Sequence, residues 1–149
     1  MRLTSHVMAS IPLLSGIFLS TGSWYAAGLA AASSVLIDVD HLPDYVYHRG
    51  CWGGVQDFFD TCNGCGPART FLVFHSWEWL IVWGLLFVGD LPVGFLWPVA
   101  AGMVYHLALD TASNTVRPSF YWFSCRALRG FKQSHFSDVK TRLNPAPTT

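Results

Sequence analysis

Apolar residues fall in four blocks separated by polar or turn-rich stretches, and the blocks have the length of helices rather than strands. From Val7 to Ile37 no side chain is charged, and Thr21-Gly22-Ser23 interrupts the run with turn chemistry. Two helices in a hairpin are expected there, Ser5–Ser20 and Trp24–Ile37. The second is rich in small residues (Ala26-Ala27-Gly28-Leu29-Ala30-Ala31-Ala32-Ser33-Ser34), which lets a neighbouring helix approach closely. A third block covers Thr70–Val88. After the turn Gly89-Asp90-Leu91-Pro92 a fourth runs Val93–Ala112, with Pro98 inside it as an expected kink. A polar loop at about 38–69 carries the breakers Gly53-Gly54, Gly64 and Gly66-Pro67, and a polar tail occupies about 116–149.

Charged residues are only 12% of the chain and the hydrophobic set 52%, whereas a soluble domain usually carries about 25% charge. The pattern therefore predicts an all-α polytopic membrane protein. It would be a single integral-membrane domain over 1–149, with four transmembrane helices in an antiparallel bundle, the first two near the lower limit for spanning. Four spans put both termini and the 38–69 loop on one side. Arg2, Arg49, Arg69, Arg117, Arg126, Arg129, Lys132, Lys140 and Arg142 all fall there, and the two opposite turns carry no Lys or Arg. The positive-inside rule then places both termini in the cytoplasm and the chain in the inner (plasma) membrane, in contact with its lipids. A cleaved signal peptide is the alternative for the first block, with Arg2 ahead of an apolar Ile11–Leu19. The formal net charge of zero gives no case for nucleic acid.

The candidate chemistry lies at the block ends. His106 and Asp110, four apart in Tyr105-His106-Leu107-Ala108-Leu109-Asp110, share one face of a helix. A charge left unpaired at the centre of a bilayer costs at least about 2.5–3.5 kcal/mol, so a compensating group is expected. The stretch Ile37-Asp38-Val39-Asp40-His41-Leu42-Pro43-Asp44 ends the second block, His75 and Glu78 lie early in the third, and His6 opens the first. Antiparallel helices would bring these to one level. Imidazole and carboxylate are usual ligands of zinc, manganese and iron, and inward-facing His and Asp/Glu of a helical bundle can hold two such ions. The expected ligands are His6, Asp38, Asp40, His41, His75, His106 and Asp110, around one or two divalent ions, zinc first and manganese or iron as alternatives. Glu78 and Asp40 are the catalytic candidates.

Plainer readings stand beside these. Histidines hydrogen-bond in helix interfaces, Asp38, Asp40 and His41 would suit a solvated helix end, and Glu78 would suit an arginine partner. Trp77, Trp79, Trp83 and Trp97 read as lipid-facing or interfacial aromatics. Cys62 and Cys65 form a lone C-x2-C, with Cys51 nearby and Cys125 distant; a metal knuckle, a disulfide and free thiols all remain open. There is no Gly-x-Ser-x-Gly elbow, Walker loop or Gly-x-Gly-x-x-Gly.

Ser5-His6, Leu36-Ile37-Asp38-Val39-Asp40-His41, His75-Ser76 and Gly102-Met103-Val104-Tyr105-His106-Leu107-Ala108-Leu109-Asp110, followed by Asn114-Thr115-Val116-Arg117-Pro118 through Tyr121-Trp122, resemble the membrane-bound metal-dependent hydrolases of the YdjM type. The resemblance covers most of the chain from Ser5 to about Phe123. It departs from the family pattern at Phe74, which precedes His75-Ser76, and in the Cys-bearing insert, as in a divergent branch. It implies hydrolase activity and leaves the substrate open. The expectation is a membrane-bound metal-dependent hydrolase in which metal-activated water attacks a phosphoester, small or lipid-linked, at the cytoplasmic face. Arg49, Arg69 and Arg117 would meet phosphate oxygens. A non-enzymatic membrane metal-binding or transport protein is the alternative. Haem ligation is a third reading, disfavoured by the clustered carboxylates.

Overall fold

The structure, a computed structural model, describes residues 3–63, 69–89, 94–114 and 116–136, with side chains from Val7 onward in the first helix. Seven α-helices lie among them: α1 (Leu3–Thr21), α2 (Trp24–Leu36), α3 (His41–Arg49), α4 (Val55–Asn63), α5 (Glu78–Val88), α6 (Trp97–Ser113) and α7 (Phe123–Leu128). The turn between α1 and α2 falls where Thr21-Gly22-Ser23 predicts it. Gly22 adopts φ +67, which glycine takes without a Cβ clash. Ser23 then caps α2, its hydroxyl accepting from the Ala26 amide at 3.2 Å. The hairpin closes over Ile17, Ala26, Ala27 and Ala30, with Leu13, Leu14, Phe18 and Ala101 packed against them.

α6 crosses α2 at its small residues. A Cβ added to Gly102 would overlap the Ala30 carbonyl and the Ser33 hydroxyl. That hydroxyl donates to Val99 O of α6 at 3.2 Å and to Ala30 O at 3.1 Å. This seam fixes the separation of α6, which carries His106 and Asp110, from α2, which carries the Ser34 carbonyl and leads into the turn bearing Asp38. A second cluster, Ile37, Leu72, Met103, Leu107, Phe120, Tyr121 and Phe136, fills the space beneath α6, with Trp77, Trp79 and Trp83 packed against it. These three tryptophans are therefore half-buried core residues, whereas Trp97 is 39% exposed.

The expected four-span membrane bundle is corrected by the helix lengths. Among the described residues no helix is long and apolar enough to cross a membrane. The multi-pass inner-membrane placement and its cytoplasmic termini rested on those spans and fall with them. The third and fourth blocks are shortened by local causes, while the second keeps its expected bounds to within a residue. α2 stops at Leu36 in a 3-10 turn, Ile37–Asp40. The third block is helical only from Glu78, because residues 70–77 run as a non-helical strap whose backbone bonds elsewhere. The fourth starts its α-helix at Trp97 with Pro98 in the first turn, where its missing N–H breaks no bond, so no mid-helix kink arises.

The strap is anchored from several elements. Thr70 N donates to Phe131 O (2.9 Å), Phe71 N to Asp44 Oδ2 (2.8 Å), Phe74 N to Asp40 Oδ2 (2.6 Å) and Trp77 N to Tyr121 O (2.8 Å). Leu72 sits in the strap at φ +42, in the left-handed region. Further out, Arg49 grips Asp57 through two hydrogen bonds (2.8 and 3.0 Å), with the Tyr45 hydroxyl on the same carboxylate, tying α4 to α3.

Candidate metal centre

Four donors from three segments converge beside the α2–α6 seam. Asp38 comes from the 3-10 turn, His75 from the strap, and His106 with Asp110 from α6, one turn apart. His106 Nε2 lies 3.2 Å from His75 Nε2, and Asp38 Oδ1 lies 3.5 Å from both. Asp110 Oδ2 lies 3.5 Å from His106 Nε2 and 4.0 Å from His75 Nε2. Side-chain exposure is 1% for His75, 0% for His106 and 5% for Asp110, against 21% for Asp38, so the cluster opens to solvent on the Asp38 side.

The outer nitrogens decide the chemistry. His106 Nδ1 lies 2.6 Å from Ser34 O. A carbonyl only accepts, so Nδ1 carries the hydrogen. His75 Nδ1 faces Asp40 Oδ2 at 3.4 Å, and the same carboxylate accepts from the Phe74 and His75 amides. With both Nδ1 atoms directed at acceptors, two neutral rings would set their Nε2 lone pairs against each other, so the contact calls for a positive species between them, either a proton on His75 Nε2 shared with Asp38 and His106 or a metal ion. A carbonyl or carboxylate behind a ligating histidine is the usual outer shell of a metal site. A tetrahedral ion with ligands at about 2.0–2.1 Å has ligand–ligand edges of about 3.3–3.4 Å, close to the four separations of 3.2–3.5 Å, with the 4.0 Å from Asp110 to His75 longer. Asp38, His75, His106 and Asp110 could thus hold a metal ion.

His41, the first residue of α3, sets its ring 4.8 Å from that of His75, and Asp38, His41 and His75 form a second group of potential ligands that shares Asp38 and His75 with the four donors above. Burial and the charge of His75 push the His41 pKa down to about 3, against the pull of Asp38, Asp110 and Asp40, so the ring stays neutral near pH 7. Burial also works against a charged His75, but hydrogen bonds to Asp38 and Asp40 and the charge of Asp110 outweigh it and leave its pKa raised. For Asp40, burial favours the neutral acid, yet the His75 ring and the amides of Phe74 and His75 outweigh it and hold the pKa below the usual carboxylate range.

Asp38, His41, His75, His106 and Asp110 thus meet as expected. Asp40 stands behind His75 as its orienting carboxylate and belongs to neither ligand group. Glu78 lies elsewhere. Its carboxylate takes the Ser76 hydroxyl, the Phe123 and Ser124 amides (2.9 and 2.8 Å) and the Ser124 hydroxyl (2.8 Å), capping α7. Burial alone would raise its pKa, but these donors bring it to about 2. The side chain of His6 lies outside the described residues, as does Cys65; Cys51, Cys62 and Cys125 are free thiols.

Sequence reasoning passed over Ser34, Asp44 and Arg126. Ser34 acts through its carbonyl, which no residue type announces. Asp44 reads as a loop carboxylate but is 2% exposed and holds the strap. No protein-family model, curated protein or solved structure matches the chain.

Proposed function

We propose that the chain is a metal-dependent hydrolase whose centre is built from Asp38, His75, His106 and Asp110. The observation that carries this reading is the pair of Nε2 atoms facing each other at 3.2 Å with both Nδ1 atoms already directed at acceptors. The nitrogen and oxygen donors suit zinc first, then manganese or iron. Such an ion lowers the pKa of a coordinated water toward 7 and polarises a phosphoryl or carbonyl oxygen. The motif resemblance to the YdjM-type hydrolases supports the same activity.

The chain's own groups divide the remaining work. Ser34 O and Asp40 hold the two imidazoles in one tautomer and orientation. Asp38, the most exposed donor, marks the side from which a substrate approaches. His41, kept neutral by its burial, is in the form that ligates and can serve a second ion with Asp38. A phosphoester is the proposed substrate class. Arg69, six residues before His75, and Arg117, seven after Asp110, keep exposed guanidinium groups, whereas Arg49 is committed to Asp57.

A second reading has its own support. Four protein donors, three of them 5% exposed or less, resemble a closed structural site rather than one with an open position, and would make this a non-enzymatic metal-binding protein. Assay of the purified chain on phosphomonoesters, phosphodiesters and carboxylic esters separates the two. The hydrolase reading expects chelator-sensitive turnover of a phosphoester that is lost in His106→Ala and Asp38→Ala. Stoichiometric metal without turnover on any ester favours the closed site.

A further inference from the structure

Arg126 of α7 is the largest side chain fully withdrawn from solvent among the described residues. Its guanidinium carbon lies 5.3 Å from the Phe120 ring centroid and 5.8 Å from that of Phe123. Nη2 donates to Leu72 O at 2.6 Å, while Nε and Nη1 meet no hydrogen-bond partner. Burying a guanidinium with one hydrogen bond is costly, so the single bond it makes calls for a reason. Leu72 is where the strap takes its left-handed turn, three residues before His75. On either side of that turn the strap's amides go to carboxylates, Phe71 N to Asp44 and Phe74 N to Asp40. Arg126 takes the carbonyl between them. Around that turn the strap is held by carboxylates on the Phe71 and Phe74 amides and by a guanidinium on the Leu72 carbonyl.

We propose that Arg126 is a positioning residue for His75: by holding the Leu72 carbonyl it fixes the left-handed turn and so sets where His75 Nε2 meets His106, Asp38 and Asp110. This rests on the reading of the cluster as a metal centre. The Arg126 charge also sits within the attraction of Asp40, Glu78 and Asp44, three carboxylates that each bond the strap, which opposes the effect of its burial. Leu72 itself is 3% exposed and packs in the core, so an aliphatic residue in an unfavourable backbone conformation is retained there by its surroundings.

The test uses the full chain as wild type, Arg126→Met, Leu72→Gly and the double variant. Methionine keeps an unbranched stem beneath Phe120 and Phe123 without donors; glycine adopts the left-handed turn unaided. Zinc affinity is measured by chelator competition, and the Phe74 and His75 amides and the His75 ring are followed by NMR. Arg126→Met is expected to weaken zinc binding by about ten-fold or more and to shift those resonances. Adding Leu72→Gly is expected to restore most of the affinity although the double variant melts lower. Should the double variant not fold, Arg126→Lys, which returns one donor to the carbonyl, serves as the rescue.

A merely structural Arg126 would lower the melting temperature and leave the zinc affinity of the folded chain and the His75 resonances unchanged, and that result overturns the proposal. If the wild type binds neither zinc nor manganese nor ferrous iron, the metal-centre reading fails. The His75 signals then decide separately: a shift in Arg126→Met reversed by the rescue supports the positioning role, and no shift refutes it.

Discussion

Gly102→Ala sets two physical effects of opposite sign against each other. In the interior of a helix alanine is favoured over glycine by about 0.8–1.0 kcal/mol, and position 102 lies well inside α6. Against this, the new Cβ would meet Ala30 O and Ser33 Oγ well inside contact distance, with Ser34 N at 3.0 Å. Two of those three atoms are backbone, so relief requires moving α2 rather than turning a side chain. Overpacking of this kind costs about 1–3 kcal/mol, giving a net loss of roughly 0–2 kcal/mol instead of a gain. Gly84 and Gly28 provide the control, because a Cβ at either meets nothing within 4 Å. Gly84→Ala and Gly28→Ala are expected to stabilise by up to about 1 kcal/mol.

The same seam reaches the metal centre. Gly102 and Ala30 lie one turn from His106 and Ser34 respectively, so parting the helices stretches the 2.6 Å bond between His106 Nδ1 and Ser34 O. Urea midpoints for the three alanine variants, with zinc affinity for each, make the assay. Gly102→Ala should be less stable than Gly84→Ala and bind zinc more weakly, by about ten-fold. If Gly102→Ala gains stability as Gly84→Ala does and keeps its zinc affinity, the close approach of α2 and α6 is not what positions His106.

Other substitutions probe the outer groups. Asp40→Asn removes the negative charge behind His75 Nδ1 and should weaken metal binding about 10–100-fold with the fold kept, read by chelator competition and circular dichroism. Glu78 has a folded pKa of about 2 against an ordinary 4.5, so it adds stability above about pH 4.5 that is lost as pH falls toward 2. Glu78→Gln should cost about 1–2 kcal/mol at pH 7 after solvent screening, and the gap to wild type should narrow by pH 2–3 in denaturant titrations. Asp44 behaves in the opposite sense: burial raises its pKa from 3.8 to about 6 despite the amides it accepts, so its contribution to stability falls as pH rises through that window. Asp44→Asn, still able to accept from Phe71 N, should flatten that slope and melt no lower than wild type at pH 7.

The helical class and the meeting of the polar groups were legible in the sequence; the membrane architecture was not the one adopted. Helical spacing alone places His106 above Asp110, and the turn at Gly22 and the small face of α2 announce the hairpin and its close partner. Asp38, His41 and His75 then converge with them, as the clustering of ionisable groups at the block ends implied. Hydropathy misled at residues 70–77. Thr70, Phe71, Leu72, Val73 and Phe74 read as the start of an apolar helix, yet their amides and carbonyls are taken by Asp44, Asp40, Arg126 and Phe131. Those partners lie dozens of residues away, so no local pattern reveals them. Glu78 misled for the same reason, since its partners at Phe123 and Ser124 are contributed by the tail.

Elemental analysis of the purified full chain, beside His106→Ala and Asp38→Ala, tests the centre most directly. The account predicts at least one divalent ion per wild-type chain, lost from both variants while their helical circular dichroism is kept, because donors from α6 and from the turn after α2 share one ion. Under about 0.2 ions per chain in protein grown with metal, together with a melting temperature unmoved by chelator, would contradict it.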